Sequence, residues 1–336
     1  MIEQLRQGRW ILLAAVVLIG GGLLFSQLQR DALPEHPLGL APEGAEIIAS
    51  LDVAAVLSSH LFDVLLEEDT DGDVRRVEET CGYDPLQEVD RALVFSMGTD
   101  RPFEQLGFVA RGELARGRAH RQRLVECVRS VLSGRGGGVS STEVEGLSAV
   151  ASVRGDSVAT FFGEDAVLGG DRALVAQTVR VARGQAASAV TDSDLRAVFD
   201  RLRASDLVVV GRLPDAWLPA MMQMASGLDP SVGALLTVRT LGLGARLQGG
   251  VELRLVLRST DADAGAIADV VTAQGAEVLR DLRVRLSVVG TVLRAMQVER
   301  AGPDVVIQVR ATDDQVDALR ELWTELGAEG TEPLTP

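Results

Sequence analysis

The sequence predicts an α+β fold: mainly antiparallel sheets with helices packed on one face, a pseudo-duplication, and one N-terminal transmembrane helix ahead of them. Three observations predict it. Strand-like apolar runs are joined by short turns more often than by helical crossovers, which favours antiparallel pairing. The order strand, helix, hairpin, helix, strands, helix is read from Glu46 and again from Asp206, although the two halves share little direct identity. Finally, Trp10–Phe25 reads WILLAAVVLIGGGLLF, without a charge, and only Ser26 and Gln27 are polar before Leu28.

At about 1.5 Å rise per residue, residues 10–28 span roughly 28 Å, close to a bilayer core. Arg6 and Arg9 precede the run; after Arg30 no further Arg comes until Arg75. This asymmetry predicts a cytoplasmic tail at 1–9, a signal anchor at 10–28, and everything later outside the cytoplasm. The expected location is therefore a bacterial inner membrane, single pass, with the bulk of the chain periplasmic. A cleaved signal peptide is the rival reading, but Leu24–Leu28 has no A-x-A-like site. Residues 31–45, with Pro34, Pro37 and Pro42, read as a Pro-rich linker.

The first α+β half is expected over 46–184. It opens with a strand at Glu46–Val53 and a helix at Ala54–Glu67. Asp84-Pro85 has the N-cap and first-turn proline of a helix start. Strands follow at Ala92–Met97 and Leu106–Arg111. A helix near Arg118–Leu132 places Leu124, Val125, Val128, Val131 and Leu132 on one face. Short strands are expected at Val139–Val144, Leu147–Val153, Val158–Phe162 and Ala166–Leu168, then a helix at Asp171–Arg183. A connecting helix is expected over 185–205.

The second half, 206–327, begins with a strand at Asp206–Arg212 and a helix at Pro214–Ala225. A hairpin-like pair at Ala234–Leu247 and Val251–Arg258 comes next. Thr260 with Asp263 forms a capping-box pattern ahead of a long helix at Asp261–Leu282, and a further helical piece runs to Leu293. Strands at Arg294–Glu299 and Asp304–Arg310 lead to a last helix opened by Thr312 and Gln315. Residues 328–336 read as a frayed tail.

The charge excludes several function classes. The chain has 33 basic and 48 acidic residues, a net of −15. All the basic residues are Arg, because no Lys is present. That removes the Walker A lysine, the Schiff-base lysine and the Ser-Lys dyad. An acidic chain is a poor nucleic-acid binder, so none is expected as a partner. No H-E-x-x-H, G-x-S-x-G or C-x-x-C is found, and His36, His60 and His120 are scattered. No catalytic residue and no cofactor is expected.

Three local patterns are candidates for sites. Glu67, Asp69, Asp71, Asp73 and Glu78, with Gly72, have the spacing of a calcium loop. Glu67 is one methylene too long for the first ligand and Arg75 adds a cation, so the expectation is an acidic turn that binds calcium weaker than about 1 mM. Cys81 and Cys127 are the only cysteines. In an oxidising compartment an even pair predicts a disulfide. Arg111, Arg116, Arg118, Arg121 and Arg123 cluster beside His120. They are read either as a solvated face paired with Glu113 and Glu126 or as an anion site.

Ala45–Asp52 (AEIIASLD) and Cys81–Pro85 (CGYDP), behind a Pro-rich linker, resemble uncharacterised N-terminally anchored exported proteins of high-GC bacteria such as the myxobacteria. The likeness covers about residues 34–328 and implies a duplicated α+β region but no activity. The absence of Lys and Asn, whose codons are AT-rich, fits such a genome. The functional expectation is a non-enzymatic, membrane-tethered envelope protein acting as a binding or scaffold module. Its partners would be the inner membrane, through residues 10–28, and an envelope protein or ligand. The alternatives are a periplasmic small-ligand or calcium receptor and, behind it, a hydrolase using scattered carboxylates.

Overall fold

A computed structural model describes residues 33–67, 78–98, 105–134, 138–153, 156–213 and 230–329. The predicted anchor at 10–28, most of the calcium loop and the helix at Pro214–Ala225 lie outside these residues. No helix among the described residues is long and apolar enough to cross a membrane.

The fold is α+β, built on one large antiparallel sheet with helices. In chain order the elements are β1 (Ile47–Asp52), α1 (Val53–Leu57), α2 (His60–Glu67), β2 (Val89–Met97), β3 (Gln105–Gly112), α3 (Gly117–Gly134), β4 (Val139–Val144), β5 (Leu147–Ser152), β6 (Ser157–Phe162), β7 (Ala166–Asp171), α4 (Arg172–Ala182), α5 (Ser193–Leu202), β8 (Leu207–Arg212), β9 (Thr240–Arg246), β10 (Val251–Arg258), α6 (Asp261–Val278), α7 (Leu282–Leu286), α8 (Val288–Arg294), β11 (Gln297–Ala301), β12 (Asp304–Ala311) and α9 (Asp313–Glu329). The 12 strands form a single sheet in the order β11-β12-β10-β9-β8-β1-β2-β3-β7-β6-β5-β4. Every neighbouring pair is antiparallel.

The sheet is centred on the β1/β8 ladder, where Ile47–Leu51 pair with Leu207–Gly211. Outward from it, one side runs β1-β2-β3-β7-β6 and the other β8-β9-β10-β12-β11, so the two sides share a strand order. The first side adds the hairpin β5-β4 at its edge.

The helices cover both faces of the sheet, not the one face that the sequence predicts. Ile48, Phe95, Gly107, Val210 and Gly242 are in register on one surface of the sheet. There Leu174 of α4 reaches Gly107, and Val198 and Leu202 of α5 reach Gly242. The opposite surface carries Ala110, Val167, Leu255 and Ile307; Leu124 of α3 packs near the first two, and Ala264 and Ile267 of α6 pack on the others. The cause is in the strands themselves. Val208-Val209-Val210 and Val305-Val306-Ile307 put apolar side chains on both faces, and both must be covered.

Other boundaries move for local reasons. Asp84 caps only a short 3-10 turn, Pro85–Glu88, before β2 starts. The connecting segment 185–205 is α-helical only at α5; ahead of it a 3-10 turn spans Ala189–Thr191 and Ser188 bridges to Pro42. The segment Pro230–Thr237 is a 3-10 helix rather than the start of a strand. The long helix is broken into α6, α7 and α8, with Asp281 and Ser287 each capping the next piece. Leu38, Leu40, Ala41 and Ala45, read as linker, are buried in the main core with Ile48, Val198 and Val210. The Thr312/Gln315 capping box forms in full, with Thr312 N–H donating to Gln315 at 3.0 Å and Gln315 N–H to Thr312 at 3.4 Å; at Thr260 only the half from Asp263 N–H, at 3.3 Å, is made.

Candidate functional site

The site is built from α3 and the sheet surface beneath it. Helix α3 turns Leu124, Val125 and Val128 toward the sheet, as its apolar periodicity predicts. Phe108, Ala110, Val150, Ala159, Phe161 and Val167 face it from β3, β5, β6 and β7, and Pro85, Leu86 and Val89 close a side. Between them lies a cavity of about 190 Å³. Its lining holds one polar side chain, Thr160, whose hydroxyl is spent on the Ser148 carbonyl at 2.8 Å. Gly169 explains how the ring of Phe108 fits here: a Cβ at that position would come within 2.3 Å of it. Phe108 and Leu86 remain 40% and 38% exposed, so the cavity has an apolar rim open to solvent.

The cysteines meet as expected. Cys81 and Cys127 are bonded, with Cα atoms 4.6 Å apart. The bridge ties the segment ahead of Pro85 to the middle of α3 and so fixes two walls of the cavity relative to each other.

Four of the five clustered arginines are committed to separate partners, and Arg118 is not among them. Arg111 pairs with Asp165 at 2.9 Å and Arg116 with Glu113. Arg123 pairs with Glu88 at 2.8 Å and lies over the Tyr83 ring at 4.8 Å. His120 also reaches Glu88, at 3.3 Å. Glu88 was missed in the sequence because it sits 32 residues from His120, whereas Glu126 instead accepts a hydrogen bond from Gln122. The Tyr83 hydroxyl is held above its ordinary pKa by burial and by the Glu88 charge, partly offset by Arg123. Arg121 donates to the Ala115 and Gly163 carbonyls at 2.8 and 2.5 Å and lies 5.2 Å from the Phe161 ring centroid.

A second recess of about 400 Å³ lies at the junction of the two sides, lined by His36, Asp52, Arg91, Asp200, Arg203 and Asp206 among others. Its carboxylates Asp52, Asp200 and Asp206 and the His36 ring are occupied in folding contacts. Asp52 accepts from the Ala55 N–H, and Asp206 accepts from the Leu247 N–H at 2.8 Å. His36 Nδ1 accepts from the Leu38 N–H at 3.2 Å, which leaves Nε2 to donate to Asp200 at 3.3 Å.

Of the calcium-loop residues, Glu67 ends α2 and Glu78 begins a short helical turn; Asp69, Asp71 and Asp73 lie outside the described residues. Among the described residues no group of three or more His, Cys, Asp or Glu side chains is placed to hold a metal ion.

No family model matches the chain, and no curated protein matches it. Among solved structures, crystal form I of TP0453 is similar, with a TM-score of 0.48 and 10% sequence identity over 86% of this chain and 98% of that one.

Proposed function

We propose that the protein is a non-enzymatic, membrane-tethered binding module of the cell envelope, with a duplicated α+β body held outside the cytoplasm by residues 10–28. In this reading its ligand site is the apolar cavity under α3. The observation that carries the reading is the cavity's wall: side chains with no free hydrogen-bonding group around about 190 Å³. That is larger than the roughly 150 Å³ apolar cavity that stays dry and admits benzene. Water finds no hydrogen-bond partner on these walls, and a hydrocarbon gains transfer free energy in proportion to the apolar area it buries.

The test is titration of the full chain in nanodiscs with the neutral fluorophore N-phenyl-1-naphthylamine, using empty nanodiscs as the blank. Saturable one-site binding is expected. Val128→Phe and Ala159→Leu, each of which fills the cavity, should weaken it at least tenfold without lowering Tm. Unsaturable partitioning equal to the blank, or binding indifferent to both variants, would refute the reading.

A further inference from the structure

The recess on the far side of Val125 and Phe161 says what kind of molecule the cavity takes. These two residues line both spaces. The outer recess, about 660 Å³, is polar and presents Arg118, Arg121 and Arg129 from one side of α3. Arg121 is committed to two backbone carbonyls and a ring. Arg118 and Arg129 make no ion pair among the described residues, in a chain whose net charge is −15. Guanidiniums with no ion-pair partner among the described residues, beside an apolar cavity, match a molecule with a hydrocarbon body and an anionic head. Glu126 and Glu164 line the same recess, so three guanidiniums against two carboxylates leave one net positive charge. That balance suits a monoanion and disfavours a dianion. The cavity is too small for two chains.

Resting on the cavity reading, we propose that the ligand is a single-chain fatty acid of medium length, its chain between α3 and the sheet and its carboxylate on Arg118 and Arg129. The carboxylate would form charge-assisted hydrogen bonds at the recess while the chain passes between Val125 and Phe161.

The experiment displaces N-phenyl-1-naphthylamine from the full chain in nanodiscs at pH 8 with decanoate, decanol and decyl phosphate. The three share a chain and differ in head charge. Decanoate should displace the probe at a concentration at least tenfold below that of decanol, and below that of decyl phosphate. In the Arg118→Gln/Arg129→Gln double variant the decanoate advantage should fall below threefold with the decanol curve unchanged. If the probe binds and decanol competes as well as decanoate, the headgroup inference is overturned while the cavity reading stands. If decyl phosphate competes best, the choice of a monoanion is overturned. If the probe does not bind, or the cavity-filling variants bind it normally, the cavity reading fails and this inference with it.

Discussion

Asp304 is 1% exposed, and its carboxylate joins three elements. It accepts from Arg201 of α5 at 2.5 Å and from Arg258 of β10 at 2.8 Å. Burial disfavours the Arg258 charge, but Asp194 and Asp304 outweigh it and raise the pKa further above its ordinary value. Asp304→Asn would leave two guanidiniums around a neutral group. Breaking a buried pair from one side costs about 3–5 kcal/mol, and Arg201 reaches solvent, so the expected loss is toward the lower end. Urea denaturation checks it; an unchanged midpoint would mean the pair contributes nothing. His60 supplies a pH-dependent contact. Its Nε2 lies 2.9 Å from Asp317, linking α2 to α9. That hydrogen bond, with the charges of Asp317, Asp313 and Asp63, outweighs the opposing effect of burial and raises its pKa above 6.5. A raised folded-state pKa means the contribution is fully present below 6.5 and is lost as pH rises through the folded value. Between pH 6 and 8 the wild-type Tm should therefore fall more steeply than that of His60→Gln. Parallel profiles would contradict the assignment.

Helix α3 and its disulfide are the elements on which the cavity depends. The bridge closes a sequence separation of 46 residues, which the chain-entropy account values at about 4 kcal/mol. Cys127→Ala should lower stability by about 2–4 kcal/mol and weaken naphthylamine binding, because it releases one cavity wall from the other. Peptide mapping without reductant should recover the linked pair; two alkylated thiols would argue against it. Much at this scale was legible in the sequence: α3 from its Leu124/Val125/Val128 spacing, α6 and α9 from their capping boxes, and most strands from their turns. The cavity was not. A face-by-face reading assumes one wet side for each strand, but Phe161 and Phe162 point to opposite sides of β6, and Phe162 is fully buried. The partner of His120 was hidden as well, because ion pairing between distant segments leaves no periodic trace.

At the scale of the whole molecule, the two sides of the sheet are not separable bodies. They share the β1/β8 ladder, and one apolar cluster runs from Leu93 and Phe95 through Val198 and Leu202 to Val256. Loss of either side would expose the other's core, so calorimetry should show one cooperative transition for the described body, shifted as a unit by Asp304→Asn. Two resolved transitions would show that the ladder is a weak seam. The sequence displayed the repeated element order but not this fusion. Nothing in Glu46–Val53 or Asp206–Arg212 says which strand each will choose.

The position of β1 bears on how the molecule carries tension. The chain arriving from residue 33 enters at the sixth of 12 strands, not at an edge. On the way Leu38 and Leu40 are buried, and backbone hydrogen bonds of about 3 Å join Ala41 and Glu43 to Ala189 and Ala187. A pull along this segment must strain two ladders of the central strand together, whereas a pull through β11 need only peel one edge. Optical-tweezer traces with one handle before residue 33 should therefore give a higher rupture force than traces with both handles flanking the β11–β12 hairpin. Equal forces would show that the centre gives way as easily as the rim. A body hung by its middle would stay whole under loads that strip strands from its margins.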